Sequence, residues 1–466
     1  MLGGHSHLLE DNTMTTTLDH RSDIRPARSN AGAVVTRPAP PRSARTSRPL
    51  AYGSRPLAVD PRLATGLGAA RPGIQQGKPR IHIATPQLEL SSKPAAVVLR
   101  TARLSGPIFR DAAAEQTDLS ISTVNRQVGA LLRAGLIRER ADLAPAGAIG
   151  RPRLPFELNV ADYLTVGIHI GFKVTSITTH DLLHRVVGAI QIPTPEGDPE
   201  EVLAAIGVSA RRFASRWTGK RALWTGVAIG GRVRDGGFVD HPRLGWEKAP
   251  VGRIIAESVG LPVSVASHVE AMAAAELLVN PDNSSASFLY FYAREMVGVA
   301  FSVDGSVHTP SSGPPVIGHF PTGATELLDP NRTGQLEPTA SDTGVVNAAR
   351  AAGLTVEGID AVHELARNGD DIARKILDER ALVLGRAVAL IADIFNPDHI
   401  ILGGQAFTDA PLTLPTVAKA VRETTVAAKR DVRVSHSGVT VQQQAAGAVS
   451  LDAIYSDPLE AIALTA

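Results

Sequence analysis

The chain divides into three regions that differ in hydrophobic periodicity. Residues 1–90 show no hydrophobic periodicity, and their ten prolines and scattered arginines would interrupt any regular element. Such a segment cannot bury enough apolar surface to offset the entropy lost on ordering it. We therefore expect residues 1–90 to form a disordered, basic, Pro/Arg-rich tail.

Residues 91–158 carry three short helical patterns followed by a Gly/Pro-rich stretch. The helical patterns read SSKPAAVVLRTARLSG, PIFRDAAAEQTD and LSISTVNRQVGALLRAGLIRER. Ser120 is a suitable N-cap for the third helix, and Gly135 is a suitable stop signal. Three helices and a hairpin in about seventy residues are typical of a winged helix-turn-helix domain.

The third helix divides into an apolar stripe and a polar face. At about 100° per residue, Val124, Val128 and Leu131 form one stripe, with Ile121 beside them. The opposite side carries the types of side chain that bind bases and phosphates in the major groove of DNA. Ser122 and Arg126 lie opposite the stripe, and Thr123 and Asn125 lie on its flanks. The same polar face would also suit a packing helix whose outer side is solvated.

The Gly/Pro-rich stretch after the third helix has the composition of a wing. Gly150, Arg151, Pro152 and Arg153 follow one another in it. Pro152 stiffens the backbone, and Arg151 and Arg153 are then suited to enter a narrow minor groove, whose negative potential attracts them. The alternative is a basic linker that makes no DNA contact.

From about residue 161 onward, strand patterns alternate with helical patterns. YLTVGIHIG, ALWTGVAIG and SFLYFYA read as buried strands, and a long amphipathic helix precedes the strand NPDHIILGGQ. This alternation predicts layered α/β lobes with substantial parallel pairing. Asp304-Gly305 predicts a hairpin turn between two strands.

Length and charge add to this division. The 466 residues predict two or three domains, and the absence of cysteine excludes disulfides and Cys-ligated zinc. Residues 1–90 carry a charge of +6 and residues 91–466 one of −5. The basic segment is a solvated tail, an over-extended gene start with Met14 as the true start, or an arm that binds nucleic acid non-specifically. No apolar run resembles a signal peptide or membrane span, so we expect a cytoplasmic protein.

The helical segment resembles the winged helix of regulators in the ROK family (repressor, open reading frame, kinase). The resemblance is carried by AEQTDLSISTVNRQVGALLRAGLIRE and by the GRPR of the wing. Asp118 stands where the family has glycine. Further segments of the chain resemble the kinase-like domain of the family, in the family's order. They are TGVAIGGRVRDGGFVDHPRLGW, LPVSVASHVEAMAAAEL, PPVIGHF, NPDHIILGGQ and QQQAAGAVSLDAI. The resemblance implies that residues 161–466 adopt the actin/hexokinase-like (RNase H-like) fold, in which two α/β lobes enclose a cleft.

The resemblance also identifies what the chain lacks for kinase chemistry. The family's first phosphate loop carries Asp followed by Gly-Gly-Thr, whereas residues 169–173 read His-Ile-Gly-Phe-Lys, with Phe172 and Lys173 in place of the cradle. The family's Asn-Asp pair, whose Asp is the catalytic base, corresponds to Ser267 and His268. Phosphoryl transfer needs both a phosphate cradle and a proton acceptor. We therefore expect no catalytic residue, no enzymatic activity and no cofactor.

The zinc site of the family is lost in the same way. His319 keeps the family's zinc-binding histidine, but the three family cysteines correspond to Leu328, Pro330 and Gln335. These side chains cannot complete a tetrahedral site, so we expect no metal. The loop 325–336 must then be held by packing, or be mobile.

The sugar contacts of the family are retained only in part. The family's sugar-binding glutamate corresponds to Val316, and Ser267 and His268 replace the Asn-Asp pair. His268, His319 and Glu337 remain as candidate contacts to a carbohydrate-like effector. The structural alternative is that His319 bonds across its loop and that His268 is buried without a ligand.

The sequence therefore predicts a sequence-specific DNA-binding transcriptional regulator, which the resemblance implies is a repressor. A winged helix at residues 91–158 would bind double-stranded DNA, and a degenerate kinase-like domain at residues 161–466 would form a homodimer or a dimer of dimers and sense a small molecule. Two alternatives stay open. One is an ATP-dependent sugar kinase with an accessory DNA-binding domain, and the other is a ligand-independent DNA-binding protein whose body only dimerises.

Overall fold

The structure is a computed structural model that describes residues 81–144, 153–280, 283, 286–426 and 430–465. The helices of this part are α1 (Pro94–Ser105), α2 (Arg110–Thr117), α3 (Ile121–Arg133), α4 (Pro199–Ala214), α5 (Val251–Val259), α6 (His268–Val279), α7 (Leu336–Ala340), α8 (Asp342–Ala351), α9 (Ile359–Arg367), α10 (Asp371–Phe395), α11 (Gln405–Thr408), α12 (Leu414–Thr424), α13 (Val441–Ser456) and α14 (Pro458–Thr465). None of these helices is long and apolar enough to cross a membrane.

The described residues also form sixteen strands. They are β1 (Ile83–Ala84), β2 (Ile137–Glu139), β3 (Phe156–Leu158), β4 (Tyr163–Ile170), β5 (Val174–His180), β6 (Val186–Pro193), β7 (Arg221–Ile229), β8 (Arg232–Arg234), β9 (Phe238–His241), β10 (Trp246–Ala249), β11 (Val263–Ser267), β12 (Phe288–Ala293), β13 (Val297–Val303), β14 (Ser306–Val307), β15 (His399–Gly403) and β16 (Asp431–Val434).

The described residues of 91–158, here called the N-terminal module, form three helices and an antiparallel strand pair in the predicted order. β2 and β3 pair antiparallel and close the module. Ser120 caps α3 as expected, with its Oγ 3.2 Å from the backbone nitrogen of Thr123. Gly135 adopts a φ of 74° just beyond the end of α3, a conformation that glycine adopts readily. The apolar sides of the three helices and the hairpin share one buried core.

Two α/β lobes follow the module, as the alternating pattern predicts. In lobe I the sheet order is β1-β11-β7-β4-β5-β6, with the first four strands parallel, and α4 and α5 pack on it. In lobe II the order is β14-β13-β12-β15-β16, with β12, β15 and β16 parallel. Helices α7 to α10 and α12 pack around the second sheet. Asp304 and Gly305 form the predicted turn between β13 and β14, both with positive φ.

Helices α6 and α13 lie between the two sheets and pack against each other. α13 also packs on β4 and β7 of lobe I, while α6 packs on β12 and β13 of lobe II. Gly226 of β7 allows this close approach, because a Cβ there would lie 2.1 Å from the backbone nitrogen of Ser450. The two helices therefore connect the lobes through direct contact with sheet backbone.

Residues 81–90, here called the N-terminal strap, differ from the predicted disordered tail. β1 in this segment pairs with β11 of lobe I, and the same segment bridges to β14 of lobe II. Leu88 is buried, and the Asp452 carboxylate accepts the backbone N–H groups of Leu88 and Gln87 at 2.8 and 2.9 Å. The prediction is wrong here because paired backbone groups and a single buried leucine order a segment that has no periodicity. Residues 1–80 lie outside the described part of the chain.

The N-terminal module packs on the lobes through α1. The Arg103 guanidinium donates to the carbonyl of Leu278 and lies 5.7 Å from the ring centroid of Tyr455 on α13. Trp224 of lobe I belongs to the same apolar cluster as the core of the module. The module and the body therefore share a continuous core.

Candidate nucleic-acid interface and interlobe cleft

The outward side of α3 carries the four polar residues that the sequence singled out. Ser122, Asn125 and Arg126 are exposed, and Thr123 is half-buried at the edge of this face. The three predicted core residues of the helix are fully buried on the other side. A capped helix therefore presents a polar face to solvent, as the helical wheel predicts.

Asn125 and Arg126 differ in how they are held. The Asn125 Oδ1 accepts a hydrogen bond from Arg110 at 3.3 Å, and Arg110 also pairs with Glu139 at 2.8 Å. Arg126 makes no hydrogen bond or ion pair with any residue that the structure describes. Asn125 is therefore pre-oriented, whereas the Arg126 guanidinium is available for a phosphate or a guanine edge.

The wing is described only in part. Arg151 lies outside the described residues. Arg153 is exposed and pairs with Asp111 in the first turn of α2, so its guanidinium lies beside the helical part of the module. An ion pair between two exposed side chains contributes little to stability. Arg153 can therefore exchange Asp111 for another anion at low cost.

Ile121 is not buried with the apolar stripe, beside which the helical wheel places it. Its side chain is 49% exposed. Ile121 is the first residue of α3, directly after the cap, so it lies beyond the part of the helix that packs against the rest of the module. The wheel gives the direction of a side chain around the axis but not where along the axis the core ends.

A second candidate site lies where strands of both lobes end. His169 lies near the end of β4, His268 begins α6 directly after β11, and Tyr292 lies near the end of β12. The rings of His169 and His268 are nearly parallel with centroids 5.8 Å apart, and those of His268 and Tyr292 are 5.9 Å apart. The Nε2 atoms of both histidines are buried without a hydrogen-bond partner among the described residues. His268 is thus a buried member of a histidine pair rather than an exposed contact.

The two histidines differ from a pair of carboxylates in charge and in basicity. Burial lowers the pKa of His169 to about 3, with His268 and Arg294 adding to the effect, and lowers the pKa of His268 to about 4. Both imidazoles are therefore neutral at pH 7, and a base of such low pKa is a poor proton acceptor. In the adjacent turn, the exposed Phe172 ring lies 5.7 Å from the Arg243 guanidinium. An aromatic side chain thus occupies the turn where a phosphate cradle would need bare backbone.

His319 and Glu337 lie together on two neighbouring segments of lobe II. The exposed His319 has its Nδ1 3.1 Å from Oε1 of Gln335, and Glu337 accepts the backbone N–H of Val297 at 3.3 Å. No hydrogen bond or ring contact in the described part of the chain joins either residue to His268. The structure therefore brings together two of the three residues predicted to contact an effector. The bond from His319 across its loop matches the structural alternative for that residue.

Glu337 also lines a polar cavity of about 330 Å³ between the lobes. Arg243 of lobe I pairs with Glu295 of lobe II at 3.5 Å in its wall, and the Glu295 carboxylate accepts the Thr343 hydroxyl at 2.7 Å. The volume is in the range of small-molecule sites. Charged and hydroxyl groups of this kind suit a polar ligand of the size of a sugar.

The loop 325–336 is held by packing and by two carboxylates. Leu328 is fully buried, and Glu379 accepts the backbone N–H groups of residues 326–328 at 2.9–3.1 Å. Asp329 accepts further backbone N–H groups within the loop. The side chains at the family's cysteine positions offer no thiolate. Within the described residues, no group of three or more His, Asp or Glu side chains lies in position to hold a metal ion.

Sequence reasoning missed three residues of the cleft. His169 was recognised as part of a lost phosphate loop but not as the partner of His268. The available signal was that histidine stands at both positions where the family has aspartate. Arg243 and Glu295 carry no sequence signal, because only the fold brings these two residues together.

Comparisons with known proteins identify the family. Residues 165–453 match the ROK family model. Transcriptional regulator Rv0485 of Mycobacterium tuberculosis is 48% identical over 397 residues, covering 82% of this chain and 90% of that protein. The DNA-binding transcriptional repressor Mlc of Escherichia coli is 23% identical over 389 residues, covering 78% of this chain and 94% of that protein. A solved ROK family transcriptional regulator, a homologue of Mlc, matches the fold with a TM-score of 0.67 and 22% identity, covering 80% of this chain and 98% of that one. The chain belongs to the ROK family, and its two α/β lobes are the domain that defines this family.

Proposed function

We propose that this protein is a sequence-specific DNA-binding transcriptional regulator, and more narrowly a repressor, whose N-terminal module is a winged helix-turn-helix. The observation that carries this proposal is the exposed polar face of α3, on which Arg126 is unpaired within the described residues. A capped helix with this face, in a module of three helices and a hairpin, suits insertion into the major groove. The relative in M. tuberculosis is named a transcriptional regulator, and the relative in E. coli a transcriptional repressor.

We expect the exposed side chains of the module to contact different parts of the DNA. Arg126 would make a bidentate contact to guanine, and Asn125 would donate through the amide nitrogen that its contact with Arg110 leaves available. Ser122 and Thr123 would contact phosphates or bases near the start of the helix. Arg151 and Arg153 of the wing would enter the neighbouring minor groove.

The body would act as a dimerisation and effector domain rather than an enzyme. The neutral, buried histidines at the end of β4 and the start of α6 are poor proton acceptors, and Phe172 occupies the phosphate turn. A homodimer or a dimer of dimers in the cytoplasm would present two copies of α3 to a pseudo-palindromic site on double-stranded DNA. Glu337, which lines the interlobe cavity, is the best placed contact for a carbohydrate-like effector, and the exposed His319 lies on the neighbouring segment. His268, which is buried in the histidine pair, would act only if the lobes open.

Selection of bound fragments from genomic DNA tests the DNA-binding proposal. The purified full chain is used at about 150 mM salt, which suppresses non-specific attraction to phosphates. We expect an inverted repeat to be enriched, and Arg126→Ala to weaken binding to it by about 1–3 kcal/mol. Arg212→Ala on α4, which removes an equally exposed charge from the body, should bind as the wild type does. If no fragment is enriched, with or without a panel of sugars, the proposal is wrong.

A thermal-shift screen tests the effector proposal separately. A ligand that binds only the folded state raises the melting temperature. We expect one member of a panel of sugars and sugar phosphates to do so, and Glu337→Gln to reduce the shift. No shift with any member would favour the ligand-independent alternative. Phosphoryl transfer from ATP to any sugar in a coupled assay would instead restore the kinase alternative.

A further inference from the structure

Gly129 lies in the middle of α3, where a glycine weakens a helix relative to alanine. The other glycines inside the described helices have a packing reason, because a Cβ would come within 3.0 Å of a neighbouring atom. These are Gly207 (2.4 Å), Gly252 (2.8 Å), Gly344 (2.3 Å), Gly385 (2.6 Å) and Gly447 (2.4 Å). At Gly129 the nearest atom is Nη1 of Arg133, at an ordinary contact distance of 3.5 Å. The packing of the described chain therefore gives no reason for this glycine.

Gly129 lies on the side of α3 that faces solvent, which suggests a role in binding rather than in packing. Residues three and four apart share a helix face, so Gly129 lies one turn beyond Asn125 and Arg126 on the same exposed side. Arg133 follows one turn later and is exposed too. Gly129 thus interrupts a row of polar and cationic side chains at its centre. Apart from the flexible Arg133 side chain, whose Nη1 lies nearby, no side chain stands between the half-buried Gly129 backbone and an approaching anionic surface.

We propose that Gly129 marks the closest approach of the α3 backbone to the DNA duplex, and that a methyl group at this position prevents the helix from seating fully in the major groove. The proposal rests on the DNA-binding function proposed above. A helix with its side chains is about 10–12 Å across and the groove is about 12 Å wide, so a small side chain on the inner face decides the depth of entry. Arg126 would then reach a guanine edge on one side of Gly129, and Arg133 a phosphate on the other.

Gly129→Ala tests this proposal because its two expected effects are opposite in sign. Alanine favours the helix and clashes with nothing in the protein, so the thermal midpoint of the full chain should rise by about 1–3 °C. Affinity for the selected DNA site should fall at least about fivefold, because the added methyl group overpacks the interface. Ser209→Ala on α4 is the matched control: it raises helix propensity on the body and should leave DNA affinity unchanged.

The outcomes separate this inference from the function on which it rests. Wild-type protein that selects no DNA sequence contradicts the DNA-binding proposal itself. Wild-type protein that selects a site, together with a Gly129→Ala variant that binds it equally well or better, overturns the role of Gly129 alone. A Gly129→Ala variant that is less stable than wild type would show a reason within the fold and would also overturn it.

Ile121 is the first residue of α3, and its side chain is exposed. Ile121 lies one turn before Asn125 on the same side of the helix, in the N-terminal part whose residues contact base edges in this class of domain. The C5-methyl group of thymine is the apolar feature of the major groove. From this placement we infer that Ile121 contacts a thymine methyl group and so specifies an A·T pair in each half-site.

Replacing thymine by uracil in the selected site removes that methyl group and nothing else. At one position of each half-site, uracil should weaken binding by the wild type about three- to fivefold, as expected for one lost methyl contact. Ile121→Ala should bind the thymine and uracil sites equally. A wild-type protein that is indifferent to every such replacement would overturn this role while leaving DNA binding intact.

Discussion

At the scale of single residues, Glu270 is a buried carboxyl in the first turn of α6. It is 7% exposed, and burial raises its pKa to about 7 from 4.5. Because the folded-state pKa lies above the unfolded value, folding favours the protonated form. The contribution of Glu270 to the stability of the fold is therefore fully present below about pH 4.5 and is lost as the pH rises through about 7.

Glu270→Gln removes this titration. At pH 8 we expect the variant to be more stable than the wild type by up to about 3 kcal/mol, and at pH 5 to differ by less than about 1 kcal/mol. Urea unfolding at both pH values measures the difference. Glu276→Gln is the control: Ser435 and His436 contact that carboxylate, so the substitution should destabilise the fold. Equal effects of Glu270→Gln at both pH values would contradict the role of burial.

Asp118 ends α2 in the left-handed conformation, with φ 55° and ψ 16°. This conformation costs an L-residue free energy that glycine does not lose, which explains the family's glycine at this position. We expect Asp118→Gly to stabilise the protein by about 0.5–1 kcal/mol in denaturant unfolding. Asp118→Ala should destabilise it instead. A stabilising alanine would show that the backbone conformation is not the cause.

Individual side chains were predictable where one helix decides their surroundings. The spacing along α3 placed Ser122, Asn125 and Arg126 outside correctly, because the core stripe opposite them is continuous. The same reasoning failed for Ile121, because the core ends before the helix does. The pairing of His169 with His268 was not predictable from spacing, because about a hundred residues separate them and only the parallel strands align their ends.

At the scale of elements, the N-terminal strap joins segments that are remote in sequence. Ile83 pairs with Val263 in the sheet of lobe I, and Leu88 accepts the backbone N–H of Val307 in lobe II. No local pattern signals such pairing, because a two-residue strand has no measurable periodicity. The longer elements, with eight-residue strands such as β4 or the 25-residue α10, carry their own signal and were predicted.

The strap should contribute to the stability of the fold through its buried leucine. Leu88 is 2% exposed, whereas Ile81 at the start of the strap is 47% exposed. Leu88→Ala should destabilise the full chain by about 2–5 kcal/mol, because it leaves a cavity beneath the strap. Ile81→Ala, which deletes a similar side chain from an exposed position, should cost less than about 1 kcal/mol. If the two substitutions lowered the free energy of unfolding equally in urea, burial of Leu88 would not be what stabilises the strap against the lobes.

At the scale of the whole molecule, the N-terminal module and the body are not independent. Leu99 of α1 belongs to the same apolar cluster as Trp224 of lobe I and Tyr455 of α13. The Tyr455 hydroxyl donates to the carbonyl of Leu182 at 2.6 Å. This hydrogen bond holds in place two of the body residues against which α1 packs. The sequence predicted a boundary between two domains near residue 160. It could not show that the two share a core, because Leu99 and the body residues Trp224 and Tyr455 are more than a hundred residues apart in the sequence.

A shared core predicts that the module and lobe I unfold together. Leu99→Ala in the module should lower the midpoint of a single calorimetric transition and cost about 2–5 kcal/mol. Val227→Ala, in the sheet of lobe I, should lower the midpoint of the same transition, because neither part keeps its core once the other unfolds. Two resolved transitions, of which Leu99→Ala moves only one and Val227→Ala only the other, would show that the module folds on its own. Coupled unfolding would mean that a change in the lobes reaches α3 through packed side chains, without a flexible linker between them.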